Sequence, residues 1–356
     1  MEKQIEELIQ QIKPLDTVAM AACRKRIDNL TKPLGSLHSL EFVVERLAGI
    51  QGNSKPESLQ KAIVIFAADH AVDGMENHTH GANSGKDALA VAQGVGPINA
   101  VAEQVQAGVL LVDMGLEQDL PAAEGVLVHK VMHGSRFFGD KPAMSEEQMV
   151  DAFLYGTTIA KKLSAEGYTA VGLGNIGERA LLSAFAITTA FYRNKMAELP
   201  ENSRDGKKIG QLAALVEKFD LTAKRPLELL CHAGAPDIAA MTGFILEAAK
   251  NRIAVVFDNG VTGTAVLLAR ALTPRVDSFI FPSAAYDEPV HKLQMNKLQL
   301  KPFLRYDFIA EQGMGSALGL SILDAAVHML NDMKTFSEAA VAAAEDGPGK
   351  NKQSGK

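Results

Sequence analysis

Six short apolar runs recur along the chain: AIVIFAA (62–68), GVLLVDM (108–114), VLVHKVM (126–132), TAVGL (169–173), RIAVVF (252–257) and DSFIF (277–281). Each is nearly continuous in apolar character, as strands covered on both faces are. Segments of helical period separate them. SEEQMVDAFLYGTTIAKKLSAEG (145–167) opens on an N-cap serine with two glutamates behind it and closes on a glycine, and PDIAAMTGFILEAAKN (236–251) opens on Pro-Asp. Strand and helix in alternation predict an α/β fold, a mostly parallel sheet with helices on both faces. The ends differ. Residues 1–50 and about 295–345 read as helix after helix, and predict a smaller helical unit in which the two ends pack together. Residues 195–210 are polar and read as a loop.

Ligands of an open parallel sheet bind outside the carboxyl ends of its strands. Four predicted strand ends carry polar or glycine-rich sequence: Asp69-His70, the run Gly172-Leu173-Gly174-Asn175-Ile176-Gly177, Asp258-Asn259-Gly260, and Pro282-Ser283. The second reads as strand, glycine loop, helix. Its backbone N–H groups and the helix start behind it suit a phosphate. The G-x-G-x-x-G spacing alone does not make a dinucleotide site, because no strand-end acid follows about 20 residues on. Asp69-His70 reads either as a substrate-orienting, acid–base pair or as a helix cap beside a surface histidine. The polar run ENHTHGANSGKD (76–87), with His78, suits a loop over a pocket. Glu288 and His291 flank Pro289, and contact a substrate or cap the next helix.

Composition narrows the classes. The 356 residues are 47% hydrophobic and 22% charged, with a net charge of −6. That is a globular balance without a basic stripe, which argues against nucleic acid as a partner. Cys23 and Cys231 lie far apart, with neither disulfide nor metal spacing, as in a reducing cytoplasm. No metal and no cofactor is expected. No apolar run reaches the roughly 20 residues of a membrane span, and the N-terminal MEKQIEELIQQIKPLD is charged and amphipathic, unlike a signal peptide. Residues 346–356, rich in Gly, Lys and polar residues, read as a disordered tail.

Several segments together resemble one family. LTKPLGSLHSLEFVVERLAGIQG (30–52) is similar to the LTKPPGSLGRLE…LAGIQG opening of nicotinate-nucleotide:5,6-dimethylbenzimidazole phosphoribosyltransferases. FAADHAV (66–72) resembles their ADHGV, and HGSRFFGDKPAMSEEQ (133–148) their GTxNF…GPAMT stretch. GMGSALGLSILDAAVHMLNDMKTFSEAAV (313–341) is similar to their GTGAALALPLLEAA…MATFxEAGV end. The resemblance implies a Rossmann-like α/β domain (55–290), a small helical domain (1–54 with 291–345), and dimers. It implies transfer of the 5-phosphoribosyl group of nicotinate mononucleotide to a lower-ligand base in cobamide nucleotide-loop assembly. Such a reaction needs a phosphate cradle, a hold on the ribose, a flat slot for the acceptor and a carboxylate to take its proton.

The working positions depart from the family pattern. Against its phosphate loop G-E-M-G-I-G-N-T-T, this chain has Leu173 for the glutamate, and Arg179 and Ala180 for the hydroxyl pair. The resemblance assigns phosphate or nucleotide contact to Gly172, Leu173, Gly174, Asn175, Ile176, Gly177, Arg179 and Lys208. Aligned on Gly313-Met314-Gly315, Gln312 takes the family's general-base position, and Glu311, one residue early, is a possible substitute. An amide cannot serve as a base at neutral pH. For the acceptor pocket the expected residues are Asp69, His70, His78, Lys86, Ser283, Glu288 and His291, while Ala284 and Ala285 replace a family His-Arg pair. This pattern resembles the non-catalytic subunit of the two-chain relatives that attach phenol or p-cresol. Three readings follow: a degenerate subunit paired with an active paralogue, a self-sufficient transferase using Glu311, and a binding protein without chemistry.

Overall fold

The computed structural model describes residues 2–71, 82–192, 206–285, 287–307 and 311–342. Six strands form one parallel sheet: β1 (Lys61–Ala68), β2 (Ala107–Gly115), β3 (Val126–Val128), β4 (Ala170–Ile176), β5 (Ala254–Phe257) and β6 (Ile280–Pro282). Their order is β3-β2-β1-β4-β5-β6. The chain therefore builds outward from β1, then returns to lay β4 on its other side. The reversal places a topological switch point at the carboxyl ends of β1 and β4.

Successive side chains of β1 point to opposite faces. Phe66 meets Phe244 of α10 (Pro236–Lys250), ring centroids 5.9 Å apart. Ile63, on the other face, lies against the start of α13 (Met314–Asp332). Both faces are thus covered, and every residue of β1 is buried, which is why its sequence after Lys61 is apolar without alternation. α6 (Glu146–Ala165) packs against α10 on the first face, its start fixed by a capping box between Ser145 and Gln148.

The termini carry α1 (Glu2–Gln11), α2 (Thr17–Asp28) and α3 (His38–Gln51) at one end, and α12 (Pro289–Leu298) and α13 at the other. They meet where Leu30 bridges Thr335 and Thr31 N–H donates to Lys334 O. α13 also lies on the sheet and α1 packs against α10, so Ile5 and Leu8 share one apolar cluster with Ile63 and Val256. Its first turn wedges between β4 and β5, where Ser316 Oγ lies 2.7 Å from Leu173 O and 3.2 Å from Val256 O.

Three expectations are corrected. β4 does not stop at residue 173: its register with β1 continues to Ala67↔Ile176. The run 277–281 is half 3-10 turn, because Thr273 caps Pro274–Phe279 and leaves only Ile280–Pro282 to pair. The predicted loop to residue 210 gives way to α8 (Gly206–Lys218). The predicted tail, 346–356, lies outside the described residues.

Candidate active site

A cavity of about 330 Å³ opens over the carboxyl ends of β4 and β5. That is within the size range of small-molecule sites. One wall is the turn that leaves β4. Asn175 and Ile176 end the strand, Gly177 and Glu178 turn, and Arg179, in left-handed backbone at φ 60°, starts α7 (Ala180–Ala190). No described side chain caps α7, and Ala180 and Leu181 of its first turn line the cavity. An uncapped helix start presents unsatisfied N–H groups and a positive dipole end, which favours an anion. Arg179 adds a cation to the same wall.

The second wall begins α11 (Gly260–Leu272). Asn259 caps it, its Oδ1 accepting from Val261 and Thr262 N–H, while its Nδ2 donates to Asn175 Oδ1 at 2.9 Å. This amide pair ties the ends of β4 and β5 together under the cavity. Glu288 reaches the lining too, but its carboxylate accepts from Val290 N–H at 2.7 Å and His291 N–H at 2.8 Å. It caps α12. Burial raises its pKa, partly offset by those two donors.

The third wall is the loop before α13, with Glu311 and Gln312 both in the lining. Gln312 and Gly313 are left-handed, at φ 56° and 84°. Non-glycine residues reach that region seldom, and mostly where the surroundings impose it. The loop runs close over β4 here: a Cβ on Gly174 would lie 2.7 Å from Gln312 C and O. Gln312 Oε1 is buried without a hydrogen-bond partner among the described residues. Partial burial, and then the charge of Asp87 in α4 (Ala82–Ala92), raise the pKa of Glu311. Beneath the loop, Asp258 is fully buried at the end of β5 and accepts from Ser316 N–H at 3.1 Å. Burial pushes its pKa up to about 7 despite that bond.

Of the expected nucleotide residues, the cavity gathers Asn175, Ile176, Gly177 and Arg179. Gly172, Leu173 and Gly174 are strand residues outside the lining, and the reading of this run as an open glycine loop is corrected. Gly174 serves the approach of the 312–313 peptide instead. Lys208 lies in α8, where its side chain is outside the described residues, as is all of His78. Lys86 is exposed on α4 beside the lining residue Asp87. Ser283 is buried beneath α13 and His291 is buried with Nε2 2.8 Å from Ala284 O, so neither reaches the cavity.

Asp69 and His70 are also outside the lining, at 2% and 1% exposure. His70 Nδ1 lies 2.7 Å from Ser183 Oγ, and Nε2 lies 3.2 Å from Asp237 Oδ1. The order Ser–His–Asp has the look of a nucleophilic triad, but Ser183 and Asp237 are both 0% exposed. A substrate carbonyl has no path to that hydroxyl, and the trio is a satisfied core network.

Sequence reasoning did not find Asn83, Ser84 or Leu181 in the lining. The first two were legible only as part of a polar run. Leu181 was hidden because nothing local tells an exposed first-turn leucine from a core one.

The chain matches a family described as "Phosphoribosyltransferase" over residues 12–341. It is 32% identical over 354 residues to a nicotinate-nucleotide–dimethylbenzimidazole phosphoribosyltransferase of Geobacter metallireducens, covering 96% of this chain and 99% of that one. The corresponding protein of Chloroflexus aggregans is 32% identical over 346 residues, with 95% and 98% covered. A crystal structure of a protein of that name from Thermus thermophilus superposes with a TM-score of 0.84 at 31% identity, over 93% of this chain and all of the other.

Proposed function

Because the chain belongs to the phosphoribosyltransferase family that it matches from residue 12 to residue 341, we propose that its cavity serves phosphoribosyl transfer from nicotinate mononucleotide to a lower-ligand base in cobamide assembly. The observation that carries this reading is the pairing, across one cavity, of an uncapped helix start bearing Arg179 with the loop bearing Gln312. The donor phosphate takes the α7 end. The ribose then spans toward residue 312, where the family keeps its base. There the acceptor attacks the anomeric carbon, the bond from that carbon to the nicotinate nitrogen breaks, and the acceptor's proton needs a carrier.

Gln312 holds a hydrogen bond but carries no proton away. The chain is therefore the degenerate member of a pair, and an active paralogue supplies the carboxylate. One observation favours a second reading: Glu311 lines the same cavity, and burial beside Asp87 moves its proton affinity toward that of a useful base. In that reading the chain is self-sufficient and its base preference is altered.

Purification of the tagged chain from its own host tests the pairing. A second chain of the same family, with a carboxylate at the position of Gln312, is the expected companion. Recovery of the chain alone or as a homodimer would retire the pair.

A further inference from the structure

Asp69 and His70 follow β1 at the switch point, yet both side chains turn away from the cavity. Asp69 commits both carboxylate oxygens to backbone: Oδ1 accepts from Glu178 N–H and Oδ2 from Glu117 N–H, each at 2.9 Å. Its own backbone is fixed as well, N–H to Gly115 O at 3.0 Å and C=O from Ser135 N–H at 2.8 Å. The next peptide reaches the same target, because His70 N–H donates to Glu178 O at 3.1 Å. Residue 178 is thus held at both its N–H and its C=O by the two consecutive residues that follow β1. The His70 ring extends the grip into α7 through Ser183 Oγ and is backed by Asp237 at the start of α10.

Glu178 is the residue before Arg179, which starts α7. Where its peptide points decides where the first N–H groups of α7 point. We infer that Asp69, His70 and Ser183 are positioning residues that aim the N-terminal turn of α7 at the donor's phosphate. The inference rests on the proposed placement of that phosphate. None of the three touches the ligand. An asparagine at position 69 sets an NH₂ donor against one of two backbone donors, so it releases either the turn at Glu178 or the loop at Glu117. Ser183→Ala removes the tie to α7 with little change of volume.

The test compares two probes, nicotinate mononucleotide and nicotinate riboside, which differ only in the phosphate. Their dissociation constants are measured by calorimetry on the full chain, wild type, Asp69→Asn and Ser183→Ala. The wild type is expected to prefer the mononucleotide by tenfold or more. Asp69→Asn should lose most of that preference and Ser183→Ala a threefold part of it, with riboside affinity held within twofold in both. A merely structural role would weaken both probes equally and leave their ratio unchanged, which overturns the inference. Should Asp69→Asn not fold, the ratio for Ser183→Ala decides alone. A wild type without preference for the phosphate would remove the cradle itself, and the inference with it.

Discussion

Gln312→Glu is expected to raise nicotinate release by the isolated chain by on the order of 10² or more, the contribution of a positioned general base. The exchange is nearly isosteric, so the left-handed backbone at residue 312 and its contact with Gly174 are kept. The new carboxylate enters a spot where the Gln312 oxygen is buried without a partner among the described residues. Desolvation there raises a carboxyl pKa toward neutrality, where a base works best. The assay uses nicotinate mononucleotide with 5,6-dimethylbenzimidazole or phenol, in a Glu311→Gln background so that only one carboxylate is in question. No gain would mean that something other than the missing base keeps the chain silent.

The second large effect concerns the turn itself. Gly177→Ala would set a Cβ 1.8 Å from Ala68 O, far inside contact. Ala68 cannot retreat, because it ends β1 and is paired with Gly115 of β2. The turn must lift instead, and it carries Glu178, Arg179 and the start of α7 with it. A loss of about 3 kcal/mol is expected, at the upper end for overpacking. It should appear as a lower urea midpoint at constant m, together with loss of mononucleotide binding. A folded variant with unchanged midpoint and affinity would show that the turn does not bear on β1 as described.

These cases show which parts of the molecule were legible from residues alone. Strands buried on both faces declare themselves by unbroken apolar runs, so β1 and β5 stand out, and polar strand ends point to the right edge of the sheet. What local pattern could not supply was the identity of each neighbour. Gly174 reads as loop because it sits in a glycine-rich G-x-G-x-x-G run, whereas it is a strand residue kept small by a segment arriving from the far end of the chain. Asp69 was correctly placed at a strand end, but its carboxylate spends itself on two backbone donors that no spacing reveals. Glu288 was open between substrate contact and helix cap. It caps α12 and borders the cavity at once. The small shift between Glu311 and Gln312 matters most and is the least legible, since both end up on one wall.

The most direct measurement is nicotinate release by the purified chain, without any second polypeptide, for the wild type and for Glu311→Gln. A silent wild type, unchanged by the substitution and active only when a carboxylate-bearing paralogue is added, is the predicted result. Steady turnover by the wild type alone that disappears in Glu311→Gln would contradict the account and make Glu311 the base.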